Sequence, residues 1–119
     1  MCGIDQYQSF GGTSGAAPGI AGISAQLYEL CGDANGGALP QSALIKATLL
    51  NTANEAGNIG PDYKFGWGHI NAYRAIRLLE QEHYFAASVA QDSIQIHDLV
   101  IPENVRQAKI MIYWSEMNR

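Results

Sequence analysis

Hydrophobic positions recur along this chain with two different periods, and the change between them divides it. From Ser14 to about Glu82 the spacing is helical. Ile23, Leu27 and Leu30 fall at i, i+4 and i+7, and Ala72, Ala75, Ile76 and Leu79 repeat the pattern later. That spacing puts apolar side chains on one face of an α-helix. A middle helix is predicted over about 40–51, with Leu44, Ile45 and Leu49 as its apolar residues and Pro40 at its first position, where a missing N–H is tolerated. Asn71 is the expected N-cap of the last helix, because its side-chain carbonyl accepts from a backbone N–H left open there. The stretches "CGDANGGAL" (31–39) and "NEAGNIGPDYKFGWGH" (54–69) separate these helices. Their Gly, Asn and Asp residues supply positive φ and local side-chain turns, so both read as loops.

After about His83 the period falls to two. In "QAKIMIYW" (107–114), Ala108, Ile110, Ile112 and Trp114 point one way and Lys109, Met111 and Tyr113 the other, as a strand with one buried face requires. "SIQIHDLVI" (93–101) alternates through Ile94 and Ile96, then slips a step before Leu99 and Ile101, as at a bulge or bend. Residues 83–119 therefore read as the start of an antiparallel β module, and 80–85 as its junction with what precedes. Two or three strands cannot cover their own edges and apolar face. The segment shows no internal repeat.

The first helix has an unusual surface. No charge occurs between Asp5 and Glu29, and Gly19, Ala21, Gly22 and Ala25 occupy the sides that Ile20, Ile23 and Leu27 leave. A helix that is small or apolar all round expects burial on more than one side. Each glycine in it costs about 1 kcal/mol relative to alanine, so packing must hold it together.

Composition changes the picture mainly by exclusion. The 119 residues, 47% hydrophobic and 15% charged, suit a globular chain of ordinary domain size. A net charge of −4, with seven Lys and Arg scattered singly, offers no basic patch to nucleic acid. No apolar run reaches the length of a membrane span, and "MCGIDQYQS" has the features of no signal peptide. Cys2 and Cys31 have no C-x-x-C spacing and fit neither a zinc site nor a disulfide framework; they read as apolar fillers or thiols, with pairing between them left open.

The candidate chemistry lies in "SFGGTSGAAPGIAGISAQL" (9–27). Ser14 there has two readings. As an N-cap, its oxygen accepts from a backbone N–H of the first turn, worth about 1 kcal/mol. As a nucleophile, it sits at a helix N-terminus whose open N–H groups stabilise negative charge on a substrate oxygen, with flanking glycines that let a peptide approach. Gly12, Thr13, Ser14, Ala16, Pro18 and Gly22 spell G-T-S-x-A-x-P-x-x-x-G, which closely resembles the active-serine segment of the subtilisin-like serine peptidases. "LIKATLLNTA" looks like the helix that follows in that family, and "FGWGHINAYRAI" looks like its terminal G-x-G-x-[IV]-[ND]-x-x-x-A element. Gly15 stands where family members often carry Met.

The resemblance implies an α/β fold. Residues 1–82 would be the C-terminal portion of a three-layer parallel-sheet peptidase domain, mostly helices here, and 83–119 the start of a β-sandwich or jelly-roll-like module. It implies a serine endopeptidase that cleaves polypeptides through an acyl-enzyme on Ser14, whose backbone N–H is one oxyanion donor. Gly12, Thr13, Ala16 and Pro18 support the motif. The family order Asp, His, Ser places the other two triad members ahead of Ser14. Only Asp5 and no His precede it, and no Asn occurs before Asn35 to complete the oxyanion hole. The expectation is thus a piece inactive by itself, whose partner is the N-terminal part of the peptidase domain, in a secreted or extracytoplasmic setting. The alternative is a non-catalytic remnant or binding scaffold of the same fold. No cofactor or metal is expected beyond the calcium the family allows, for which no ligands are identifiable.

A complete site of another kind, with Ser14, Asp62 and His69 or His83 in α/β-hydrolase order, fails locally. Such an elbow needs G-x-S-x-G after a hydrophobic strand. Here Ala16 replaces the second glycine and "DQYQSFGG" is polar. His69 reads as a solvent-facing or capping residue, and His83 and His97 lie in or beyond the junction.

Overall fold

The protein is described by a computed structural model over residues 11–114. They fall into two compact units, one ending at Leu39 and one beginning at Pro40.

The first unit is built on helix α1, Thr13–Ala34. It runs one turn further than the periodicity suggests, because Asn35 closes it twice over. Its backbone N–H reaches the carbonyls of Cys31 and Gly32 at 3.0 and 3.2 Å, and its Nδ2 donates to the Cys31 carbonyl at 2.8 Å. The first four residues of the expected loop 31–39 are therefore helical. Burial in α1 is confined to its C-terminal half, at Leu27, Cys31 and Gly32. Burial also pushes the Cys31 thiol pKa up. Ala16, Ala17, Gly19, Ala21 and Gly22 are exposed, and Ile20 is 45% exposed.

The second unit holds α2, Ser42–Thr52, packed on α3, Ala72–Glu80. Pro40 is not the first helical residue. Gln41, extended at φ −63° and ψ 140°, is the N-cap, and the helix begins one residue later. The core of the pair is Ile45, Thr48, Thr52 and Ala53 with Ala75 and Leu79. Burying side chains the size of Ile45 and Leu79 contributes about 1.5–3 kcal/mol each. Asn71 caps α3 as expected, its Oδ1 accepting from Arg74 N–H at 2.9 Å.

The long loop between α2 and α3 is ordered by polar contacts. Asn54 and His69 exchange both backbone hydrogen bonds, at 2.8 and 2.9 Å. Asp62 and Gly66 do the same at 3.0 and 2.8 Å around a three-residue tip. Asn54 Oδ1 accepts from Asn71 Nδ2 at 3.1 Å and from Arg74 at 3.4 Å, which ties the loop to the start of α3. Gly68 makes this closure possible: its φ is +96°, and a Cβ there would overlap the Asn54 carbonyl.

The two strands expected after His83 have no ladder partner among the described residues. Among the described residues there is no sheet, and 83–114 contain only turns and irregular chain, with Asp92 and Asn104 at positive φ. Alternation alone does not make a ladder, because a strand needs an edge to bond to. Lys109 and Tyr113 face α2, through Lys109 Nζ on the Leu50 carbonyl at 3.4 Å and Lys46 5.0 Å from the Tyr113 ring centroid. Ile110, Ile112 and Trp114, the face these strands cannot cover by themselves, are exposed.

Two buried hydroxyls four residues apart give a test with opposite signs. Thr52 Oγ1 donates to the Thr48 carbonyl at 2.7 Å, whereas Thr48 Oγ1 is buried without a partner. Thr48→Val removes an unpaid desolvation and is expected to stabilise the second unit by about 1 kcal/mol, while Thr52→Val loses a bond and costs about as much. Urea titration followed by helix dichroism checks both, and equal destabilisation by the two would contradict this packing.

Candidate active site

Ser14 is not the N-cap of its helix. Gly12 is, at φ 90° and ψ 178°, and Ser14 is the second helical residue. That φ/ψ pair is essentially reserved for glycine, so Gly12 lets an extended chain turn directly into α1. The Gly12 carbonyl accepts from Gly15 N–H at 3.0 Å and Ala16 N–H at 3.2 Å. The N–H groups of Thr13 and Ser14 point out of the helix end with no intrahelical acceptor. No side chain caps this terminus, and no acidic residue lies in its first turn to neutralise the dipole.

Ser14 is exposed, and its hydroxyl has no hydrogen-bond partner among the described residues. The N-cap reading of Ser14 is thereby overturned, because the cap position, two residues earlier at Gly12, is set by backbone conformation with no side-chain cap. Thr13 and Ala16 are exposed beside it. Pro18 lies inside the helix. Without an N–H it gives the Ser14 carbonyl no i+4 donor, and its ring crowds that same carbonyl. The peptide of Ser14 is thus the least tethered in the first turns. The arrangement can present a hydroxyl beside an outward N–H at a positive helix end, the pair that acyl transfer uses for attack and for oxyanion binding.

The other ionisable groups sit elsewhere. Within the first unit the described acids are Glu29 and Asp33, and there is no His. Asp5 lies outside the described residues. All three histidines belong to the second unit. His69 is held through its backbone against Asn54, and the His97 ring lies 4.8 Å from Phe85. Asp62 is committed to its own loop. It accepts from Phe65 N–H at 2.7 Å, Lys64 N–H at 2.8 Å and Asn58 N–H at 3.3 Å. The Phe65 bond chiefly, with those from Lys64 and Asn58, holds its carboxyl pKa below the ordinary value against the opposing effect of desolvation. This is the local side-chain turn that the composition of the loop predicts, made by an Asp two and three residues ahead of the N–H groups of Lys64 and Phe65. Among the described residues no three His, Cys, Asp or Glu side chains are placed to hold a metal ion. No helix of the described residues is long and apolar enough to cross a membrane.

The Subtilase family model matches residues 2–68, more than half of the chain and the whole of the Ser14 turn. The chain belongs to the subtilase family. No curated protein and no solved structure matches it. Subtilase membership makes the chain, at family level, a serine peptidase and hydrolase whose substrates are polypeptides, and puts its fold in the α/β class. The described part of this subtilase contributes helices.

Since Ser14 caps nothing, Ser14→Ala is expected to leave helix stability within about 0.5 kcal/mol of the parent. Asn71→Ala, which removes a formed cap, should cost about 1 kcal/mol. Denaturant midpoints of the two variants compare them directly. A loss at Ser14 equal to that at Asn71 would restore a structural role to the hydroxyl.

Proposed function

We infer that this chain carries the nucleophile of a subtilisin-like serine endopeptidase. Ser14 attacks the peptide carbonyl to form an acyl-enzyme, and its own backbone N–H donates to the developing oxyanion. The observation that carries this reading is an exposed Ser14, its hydroxyl without a partner among the described residues, at the second position of a helix with no side-chain cap, inside the segment matched to the family. Gly12 sets the turn, Thr13 and Ala16 keep the approach narrow and small, and Pro18 loosens the Ser14 carbonyl.

The base, its orienting carboxylate and the second oxyanion donor come, in this reading, from a part of the peptidase domain outside these residues. A Ser hydroxyl is a weak nucleophile until a base takes its proton. In subtilisin itself, loss of the histidine costs about a millionfold in kcat, or roughly 8 kcal/mol of barrier. Loss of one oxyanion donor costs about 3 kcal/mol more. The helices are assigned to a helical layer of the three-layer domain, with that domain reaching to Glu82 and a β-sandwich or jelly-roll-like module starting at His83. A secreted or extracytoplasmic setting goes with the family. The second reading, a non-catalytic scaffold of the same fold, has no observation that favours it over the first.

Peptide turnover separates the two. The 119-residue chain is expected to show none at an enzymatic rate. A longer form with D-[ST]-G and H-G elements ahead of Ser14 is expected to turn over, and to lose activity with Ser14→Ala. Turnover by the short chain that vanished with His69→Ala would overturn the assignment. An inactive longer form, folded and carrying both elements, would favour the scaffold.

A further inference from the structure

The carbonyls at the end of α2 are short of donors. In a continuing helix the Leu50 carbonyl would accept from the Asn54 N–H, but that N–H is committed to the His69 carbonyl at 2.8 Å. The loop closure between α2 and α3 therefore leaves the Leu50 oxygen open at the negative end of the helix dipole. No basic residue lies in the last turn of α2 to answer it. A cation from far along the chain does so instead, since Lys109 places its Nζ 3.4 Å from that oxygen. Further along the same segment, the Tyr113 ring centroid lies 5.0 Å from Nζ of Lys46, a turn earlier on α2. The segment thus runs opposite to the helix. Exposure follows the alternation of its side chains, with Tyr113 37% exposed and Met111 half-buried while Ile110, Ile112 and Trp114 are 64%, 80% and 69% exposed.

We propose that the C-terminal end of α2 is the dock that fixes the segment 107–114, with Lys109 as a cap on the helix and the Tyr113 ring as a second hold through Lys46. An ammonium on an open terminal carbonyl is favoured both as a charge-assisted hydrogen bond and by the dipole. A cation beside an aromatic ring adds a second attraction. Either contact alone is weak at an exposed site. Made together they reinforce each other, because the first holds the segment where the second can form at high effective concentration. With the division at Glu82 proposed above, on which this reading rests, the dock joins the peptidase domain to the module that follows it.

NMR relaxation of the backbone amides of the 119-residue protein tests the dock. In the parent, the order parameters of 109–113 are expected to match those of α2, at about 0.85. Lys109→Met combined with Tyr113→Leu should drop them below about 0.6, with α2 unchanged as the control for folding. Lys109→Arg, which keeps the charge and its donors, should hold the parent value. Lys46→Met and Tyr113→Leu remove one shared contact, so the two together should lose no more order than either alone. A parent segment already below about 0.6, a segment unmoved by the combined Lys109→Met and Tyr113→Leu change, or additive losses at Lys46 and Tyr113 would each overturn the proposal. The division fails separately: order that stays high without a break through 80–90 would remove the boundary and leave the dock in place.

Discussion

The helix start at Gly12 is the constraint on which the site depends. Its φ of 90° and ψ of 178° let the chain enter α1 without a side-chain cap. Any residue with a Cβ would be strained there by about 1–3 kcal/mol. An ordinary cap would spend a hydroxyl or a carboxylate on the first-turn N–H groups and dull the positive end of the helix. With glycine in that place, the terminus keeps its donors and its field, and the Ser14 hydroxyl is not used as a cap. Pro18 acts on the same peptide from the other side by withdrawing a donor from the Ser14 carbonyl.

The second theme is surface that these residues do not cover. The N-terminal half of α1 is exposed despite having almost nothing but small and apolar residues, and the Ile110, Ile112 and Trp114 face is exposed beside α2. In both places local sequence preference exceeds what the neighbouring chain supplies. The α2–α3 pair is different. There Ile45, Ala75 and Leu79 are buried, and the loop between the helices closes through Asn54, Asp62 and Gly68.

The helices and the family were legible in the sequence because both depend on short-range patterns. Asn71 as a cap and the 3.6-residue spacing of Ala75 and Leu79 are decided within a turn or two. The G-T-S-x-A-x-P spacing about Ser14, inside the segment matched to the family, is local in the same way. What was misread depends on partners or on competition. Pro40 looked like a helix start, but the extended Gln41 takes the cap. What the other side of 107–114 meets was not readable, because the contacts α2 offers are a carbonyl at Leu50 and a cation at Lys46, which engage Lys109 and Tyr113.

The central claim is that the turn at Gly12 delivers Ser14 as a nucleophile. The direct measurement is to treat the longer form, carrying the D-[ST]-G and H-G elements, with an organophosphorus serine probe and locate the adduct by peptide mass mapping. The account predicts a single adduct on the peptide containing Ser14, absent when the protein is denatured first. An adduct on another serine such as Ser24 or Ser42, or peptide hydrolysis that continues with Ser14 unmodified, would contradict it.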